Sequence, residues 1–244
     1  RLAGLDEEVI TGTADPWDKF VAWAQTVPRL IGNPLYLWTH LELRRVFGID
    51  VALSPATAHE VWEEANRQLP GWPVSRLLGH FRVSMLATTD DPPDHLGGHR
   101  RMAERLGARR VVPTWRPDRA HRLLDDPPAW NAWADRFGEQ DGVAIGDLAS
   151  LQEALARSYR RFAALGCRAS DHGLDFVPDT PRDGSRADRA VREIRAGRAV
   201  DHEGSAAVLL EVLHLAAGLL GEDDAVLQLH LGARRDVSPR LRST

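Results

Sequence analysis

Apolar positions in the first 80 residues recur at the three- and four-residue spacing of helices. Asp15 followed by Pro16 is a helix start, because aspartate caps free backbone N–H groups and proline fits the first turn. Three helices are predicted: from Pro16 to a stop at Pro28, from Pro34 to Phe47 before Gly48, and from Ser54 onward through Leu69. Residues 1–80 are therefore predicted to form a helical subdomain.

After Phe81 the pattern changes to short apolar runs that end in polar clusters and alternate with helical segments. The runs cover residues 82–88, 109–114, 166–169 and 225–229. The helical segments lie near residues 94–106, 129–137, 148–165, 186–195 and 204–220. This alternation predicts an α/β fold with parallel strands, and polar strand ends predict a site at the carboxyl edge of the sheet. About four strands indicate a partial (β/α)₈ barrel over residues 81–235, followed by a divergent tail at 236–244.

Charge and composition exclude some classes of partner. The net charge of -4 on 244 residues gives no overall attraction to nucleic acid. The apolar stretch 206–220 contains Glu211 and His214 and falls short of the roughly 20 residues of a membrane span, so we expect a buried helix and no membrane. Cys167 is the single cysteine, which excludes an intrachain disulfide and favours the cytoplasm.

The opening residues, Arg-Leu-Ala-Gly, have neither an initiator methionine nor the pattern of a secretion signal. We therefore expect a chain that starts within a longer protein.

Arg116 follows an apolar strand and stands between Pro113 and Pro117, which stiffen its backbone. A guanidinium offers a planar fork of donors that binds a carboxylate at two points. Recognition of an acidic ligand and an ion pair with the nearby Asp118 are equally compatible with this pattern.

Two adjacent carboxylates, Asp90 and Asp91, end the run at 82–88. One is predicted to face the barrel mouth and the other to cap a helix beginning near Asp94. On that helix, His95 and His99 stand among arginines, and we interpret them as a solvated face.

Asp171 and His172 are predicted to stand where the third strand ends, and His230 lies within the fourth run. A histidine at such a position is a metal ligand, a general base or an ordinary loop residue. Gln228 and His230 are two residues apart and therefore share one strand face. The sequence has no His-x-His pair, no cysteine pair and no His-x-x-x-His pair with a third ligand nearby, so the chain by itself supports no metal site.

Six ordered motifs resemble the uronate isomerases (glucuronate isomerase), members of the amidohydrolase superfamily. They begin at Ala22 (AWAQTVP), Gly32 (GNPLYLWTHLELRR, then FGI), Thr88 (TTDDP), Pro113 (PTWRPD), Gly166 (GCRASDHG) and Gln228 (QLHLGA). The resemblance implies an aldose–ketose isomerase that converts D-glucuronate to D-fructuronate, and D-galacturonate to D-tagaturonate, through an enediol.

The resemblance also implies roles for single residues. Arg116 and His230 are the expected catalytic residues, with Arg116 also holding the substrate. The other residues expected to bind substrate are Asp90, Asp91, Trp115, Asp171, His172 and Gln228. The family uses a divalent metal, expected to be zinc, whose His-x-His pair and last-strand aspartate have no counterpart here. The implied partner is a small uronic acid. The resemblance does not decide whether the protein forms a homo-oligomer.

The match weakens after Ala233, where Arg235 alone aligns and the following residues diverge, as at a frameshift or contig edge. We therefore expect a chain that is not a competent catalyst alone, and its preferred uronate stays open. Two alternatives remain: a non-catalytic, truncated paralogue that binds sugar acids, and a hydrolase of the same superfamily that activates water on a metal.

Overall fold

A computed structural model describes residues 3–106, 110–124 and 126–232. These residues divide into two compact units, with the boundary between Val83 and Ser84. The divergent tail predicted at 236–244, and Arg235, lie outside the described residues.

The first unit contains four α-helices: α1 (Pro16–Thr26), α2 (Pro34–Phe47), α3 (Ala58–Gln68) and α4 (Val74–His80). The Asp15 carboxylate accepts a hydrogen bond of 2.8 Å from the backbone N–H of Trp17, as predicted for the start of α1. Gly48 ends α2 in the left-handed conformation, with φ of 67°, and donates its N–H to the carbonyl of Arg44. Both helices confirm the sequence prediction.

The third helix starts later than predicted. The backbone N–H of Ser54 donates to the Thr57 hydroxyl at 2.9 Å, and that hydroxyl donates to the carbonyl of Ala52 at 2.7 Å. These local bonds hold residues 54–57 in a turn, so α3 begins only at Ala58. Serine before proline therefore marks a turn here and not the first residue of the helix.

The second unit is a four-stranded sheet with helices between its strands. The strands are β1 (Met85–Asp90), β2 (Arg110–Trp115), β3 (Ala169–Leu174) and β4 (Val226–Leu231). All neighbours are parallel, in the order β1-β2-β3-β4. The helices are α5 (Gly97–Arg105), α6 (Pro127–Asp141), α7 (Leu148–Ala163), α8 (Gly184–Arg195) and α9 (His202–Glu222). The predicted alternation of strand and helix is confirmed.

The strands extend further toward their carboxyl ends than the apolar runs did. Residues 170–173, which we predicted to be a polar cluster at the end of the third strand, lie inside that strand. Backbone hydrogen bonds to the neighbouring strands extend a strand whatever its side chains are, so polar residues continue it. Ser170, Asp171 and His172 are polar although they are buried, so an apolar run marks only part of a strand.

The helix α9 lies in the core of the second unit. It is 21 residues long and apolar enough, by length and composition, to cross a membrane. The prediction that this segment falls short of the length of a membrane span was therefore wrong. Its carboxylate Glu211 is nevertheless buried and lies 2.9 Å from the Nε atom of Arg182. Ten of its residues are buried, as the prediction of a buried helix requires.

Candidate active site

Four charged or polar side chains meet at the carboxyl ends of β2, β3 and β4, and we call Arg116, Asp118, Asp171 and His230 the tip cluster. The Nε atom of Arg116 donates to Oδ2 of Asp118 at 2.9 Å, and its Nη1 atom lies 3.2 Å from Oδ2 of Asp171. The Nε2 atom of His230 contacts the other oxygen of Asp171. Three neighbouring strands thus contribute to one continuous row of polar contacts.

Parallel pairing explains how these residues meet. Asp171 is paired with Gln228, and Gly173 is paired with His230, so these four residues stand on one face of the sheet. Gly173 makes room for the row, because a Cβ atom there would lie 3.0 Å from Nη2 of Arg116. The prediction that Gln228 and His230 share a face follows the same alternation.

Asp118 is the buried anchor of the tip cluster. It begins a short 3₁₀ helix after β2, and its Oδ2 atom accepts the backbone N–H of Gly173 at 3.1 Å. Burial by itself would raise the pKa of Asp118, but the nearby His121 and hydrogen bonds from Arg116 and the Gly173 backbone outweigh it and hold the pKa at about 2. The carboxylate therefore stays charged and keeps Arg116 in place.

His172 does not face the opening with Arg116 and His230. Its side chain is fully buried and contacts the hydroxyl of Ser170, on the face opposite to Asp171. Desolvation lowers the pKa of His172 to about 4, although Asp118 opposes that shift. The expected contact between His172 and substrate is corrected to a buried, neutral side chain behind the strand.

Beside the tip cluster lies a recess of about 560 Å³, which we call the arginine recess. Its lining combines four aspartates with four arginines: Asp90, Asp91, Asp94, Asp118, Arg116, Arg119, Arg122 and Arg136, together with Thr89. Charges of both signs in one concave surface suit a ligand that carries both hydroxyl groups and a negative charge.

Asp91 does not cap the next helix, as one of the two aspartates was expected to do. The helix α5 begins at Gly97 without a side-chain cap, and Asp91 instead accepts the indole N–H of Trp133 at 2.9 Å. Desolvation raises the pKa of Asp91 to about 6, against the hydrogen bond from Trp133 and the charge of Arg119. A carboxyl group that ionises near neutral pH is typical of functional sites.

Trp115 was expected to contact the substrate, but its side chain is fully buried. The indole N–H donates to Ser158 at 3.2 Å, and the ring meets Tyr159 edge-on at 5.5 Å between centroids. Successive side chains along a strand point to opposite faces of the sheet. Trp115 therefore lies toward the helices, whereas the next residue, Arg116, lies in the opening.

His99 was missed by the sequence analysis. We interpreted it with His95 as a solvated face, but only His95 is exposed, and His99 is 6% exposed. Its Nε2 atom lies 2.8 Å from the hydroxyl of Thr88 on β1. The arginines on this helix led us to predict an exposed face. Leu96, which is apolar and precedes His99 by three residues, indicated that His99 points toward the core.

The described residues do not fit a metal ion. Among them, no three His, Cys, Asp or Glu side chains are grouped to hold one. Oδ1 of Asp118, for example, lies 3.9 Å from Nε2 of His121 and 4.0 Å from Nδ1 of His172. Tetrahedral ligands of a metal with bonds of about 2.0–2.2 Å lie closer together, about 3.3–3.6 Å apart.

Comparison with known proteins gives one consistent family. The family model described as glucuronate isomerase matches residues 1–244. The uronate isomerase of Solibacter usitatus is 39% identical over 98% of this chain and 52% of its own length, and that of Vibrio vulnificus is 38% identical over 99% and 52%. The chain therefore spans about half the length of the curated relatives it matches.

Solved structures agree with this result. A uronate isomerase from Thermotoga maritima superposes with a TM-score of 0.93 and 34% identity, over all of this chain and 54% of that one. A glucuronate isomerase from Caulobacter crescentus, 22% identical with a TM-score of 0.86, shares the fold. The four parallel strands and their helices are those of a partial (β/α)₈ barrel, as predicted. Because the family model matches its entire length, the chain belongs to the glucuronate isomerase family.

Proposed function

We propose that the complete protein isomerises hexuronates between aldose and ketose, D-glucuronate to D-fructuronate and D-galacturonate to D-tagaturonate, through an enediol. The observation that carries this proposal is the tip cluster, in which Arg116 is held between two carboxylates beside His230. A fixed cation and an imidazole at adjacent strand ends suit a reaction that moves a proton while negative charge develops on oxygen.

Arg116 has five N–H donors, and its contacts with Asp118 and Asp171 engage two of its three nitrogens. Its Nη2 group remains to donate to a substrate oxygen. Because two carboxylates already balance its charge, this group suits a hydroxyl that becomes an enediolate oxygen better than a second carboxylate. His230, 51% exposed beside Asp171, would accept or return the proton.

The substrate carboxylate is proposed to lie in the arginine recess. Arg119 is 60% exposed there, 3.9 Å from Asp91, and Arg136 lies near the same carboxyl group. Guanidinium groups that retain open donors bind a carboxylate without first displacing a partner. Asp90 and Gln228 are proposed to contact sugar hydroxyls.

The complete enzyme is further proposed to use a divalent metal, zinc by family resemblance, on residues outside this chain, and to act in the cytoplasm. A bound divalent metal would polarise substrate oxygen atoms. The described residues offer no group for it. We therefore expect the 244-residue chain alone to give no turnover with metal supplied, and calorimetry to detect no binding of glucuronate.

The test measures isomerisation of D-glucuronate and D-galacturonate by the complete protein and by its Arg116→Lys variant. Lysine cannot span Asp118 and Asp171 and still donate to substrate, so kcat should fall about 100- to 1,000-fold, the usual effect of losing one oxyanion donor. Arg157→Lys, in an exposed ion pair on α7, is the matched control and should keep wild-type rates. Absence of turnover by the metal-supplied wild type, or full activity of Arg116→Lys, would contradict the proposal.

A further inference from the structure

The hydroxyl of Thr88 stands between two titratable side chains near the carboxyl end of β1. It donates to Oδ2 of Asp90 at 2.6 Å, and it lies 2.8 Å from Nε2 of His99 on α5. Asp90 lines the arginine recess, whereas His99 is buried behind the strand. The three side chains therefore form one hydrogen-bonded unit that reaches from the helix layer to the recess.

Both ring nitrogens of His99 have a polar neighbour. The Nδ1 atom lies 3.2 Å from the carbonyl of Leu96, and Nε2 faces the Thr88 hydroxyl. The Oδ2 atom of Asp90 lies 3.6 Å from the same Nε2 atom, so the Thr88 hydroxyl joins the ring to the carboxyl group.

The Thr88 hydroxyl also lies 3.3 Å from the carbonyl of Val112, which is too long to compete with the two shorter contacts. Thr88 therefore connects Asp90 to His99, and it does so whichever of the two receives its hydrogen.

We propose that Thr88 and His99 are positioning residues for the isomerisation, which fix the carboxyl group of Asp90 at the arginine recess. This inference rests on the proposed function, because it assigns Asp90 to the substrate side of the unit. Thr88 and His99 do not touch the substrate, and they act through Asp90.

A merely structural link between α5 and β1 would use the same atoms, so the test needs signals that such a link would not change. The first is the ¹⁵N NMR spectrum of the histidine rings in the complete protein, with His99→Gln used to assign the signals. In Thr88→Val, which keeps the branched shape that strands favour, the Nε2 signal of His99 should shift, because the hydroxyl at 2.8 Å is lost and the next polar atom, Oδ2 of Asp90, is 3.6 Å away. Thr88→Ser should restore it.

The second measurement is steady-state isomerisation of D-glucuronate by the same variants. Thr88→Val should lower kcat about 100-fold, as displacement of a reacting group by about 1 Å does, and leave KM within about threefold. Thr88→Ser should recover most of the lost rate. His95→Asn is the matched control, because His95 is exposed and asparagine still accepts the N–H of Gly97.

An unchanged His99 signal in Thr88→Val, or a wild-type kcat in that variant, would overturn the inference. Equal losses in Thr88→Val and Thr88→Ser would also overturn it, because the serine hydroxyl restores the bridge. A wild-type protein without turnover would instead refute the proposed function. The nitrogen signals would then still decide whether the hydrogen-bonded unit exists.

Discussion

At the residue scale, burial favours the neutral forms of two side chains near the strand ends. It raises the pKa of Asp91 to about 6 and lowers the pKa of His172 to about 4. Asp91 is an acid and His172 is a base. The contribution of Asp91 to the free energy of unfolding therefore falls as pH rises, whereas that of His172 falls as pH drops.

We predict that Asp91→Asn stabilises the complete protein at pH 7. The folded-state pKa of about 6 lies above the ordinary aspartate pKa of 3.8, so the stabilising effect of the buried neutral acid is complete below about pH 3.8 and is lost as pH rises through 6. At pH 7 the buried charge costs about 3 kcal/mol, and the amide removes that cost. Urea unfolding at pH 7 and pH 4 checks this: the advantage of the variant should disappear at the lower pH.

We predict the opposite dependence for His172. Its folded-state pKa of about 4 lies below the ordinary histidine pKa of 6.5, so its contribution is complete above about pH 6.5 and is lost as pH falls through 4. Wild type should lose about 3 kcal/mol from this group over that window, and His172→Asn should not. Unfolding of both proteins at several pH values measures the difference, with the exposed His214→Asn as control. Parallel pH profiles for His172→Asn and wild type would contradict the prediction.

Gly173 provides a test of the space around Arg116. We predict that Gly173→Ala lowers kcat about 10- to 100-fold with little loss of stability, because the new methyl group must push the end of the Arg116 side chain off its contacts by a few tenths of an ångström. Steady-state kinetics and a thermal melt of the same preparation check the two parts. Gly146→Ala, where a Cβ meets no atom within 4 Å, is the matched control.

At the element scale, α7 depends on a capping box that the sequence analysis did not identify. Asp147 accepts the N–H of Ser150 at 2.9 Å, and the Ser150 hydroxyl accepts the N–H of Asp147 at 3.0 Å. The helix places Leu151, Leu155 and Phe162 in the core. Its start therefore fixes where a large part of the core lies.

We predict that Asp147→Ala lowers the free energy of unfolding by about 1 kcal/mol, the usual cost of a lost N-cap, whereas Asp147→Asn is nearly neutral because asparagine caps as well. Urea denaturation at neutral pH distinguishes the two variants. An equal loss in both would assign the effect to the ion pair with Arg192, 3.0 Å away, instead of the cap.

Elements were predictable to different degrees. The bounds of α2 follow from Pro34 and Gly48, because proline and glycine act on the backbone directly. The predicted end of β3 lay five residues too early. Ser170, Asp171 and His172 are polar, and their strand conformation depends on hydrogen bonds to strands that are distant in the sequence. Local chemistry fixes helix ends, whereas strand ends depend on the partner strand.

At the scale of the whole molecule, the sheet has two outer strands. Among the described residues, β1 and β4 each pair on one side only, and Met85, Val226 and Leu231 on them are more than half exposed. Unpaired strands with apolar side chains are templates for association with other chains.

We predict that the 244-residue chain by itself self-associates, and that Leu231→Lys reduces the associated fraction by placing a charge on β4. Size-exclusion chromatography with light scattering measures both. Leu37→Lys, at an equally exposed position on α2, is the matched control and should leave the fraction unchanged. A sharp, reversible, monomeric melt of the unmodified chain would contradict the prediction.

The sequence by itself determined the alternation of helix and strand, the family, and the strands that carry the tip cluster, because spacing, proline and glycine act over a few residues. Only the tertiary structure decided which way each polar side chain points. Arg116 and Trp115 are neighbours in the chain but lie on opposite faces, and His99, apparently solvated, is buried against Thr88. The physical reason is that orientation depends on register and on packing between residues far apart in the chain, and neither leaves a local pattern.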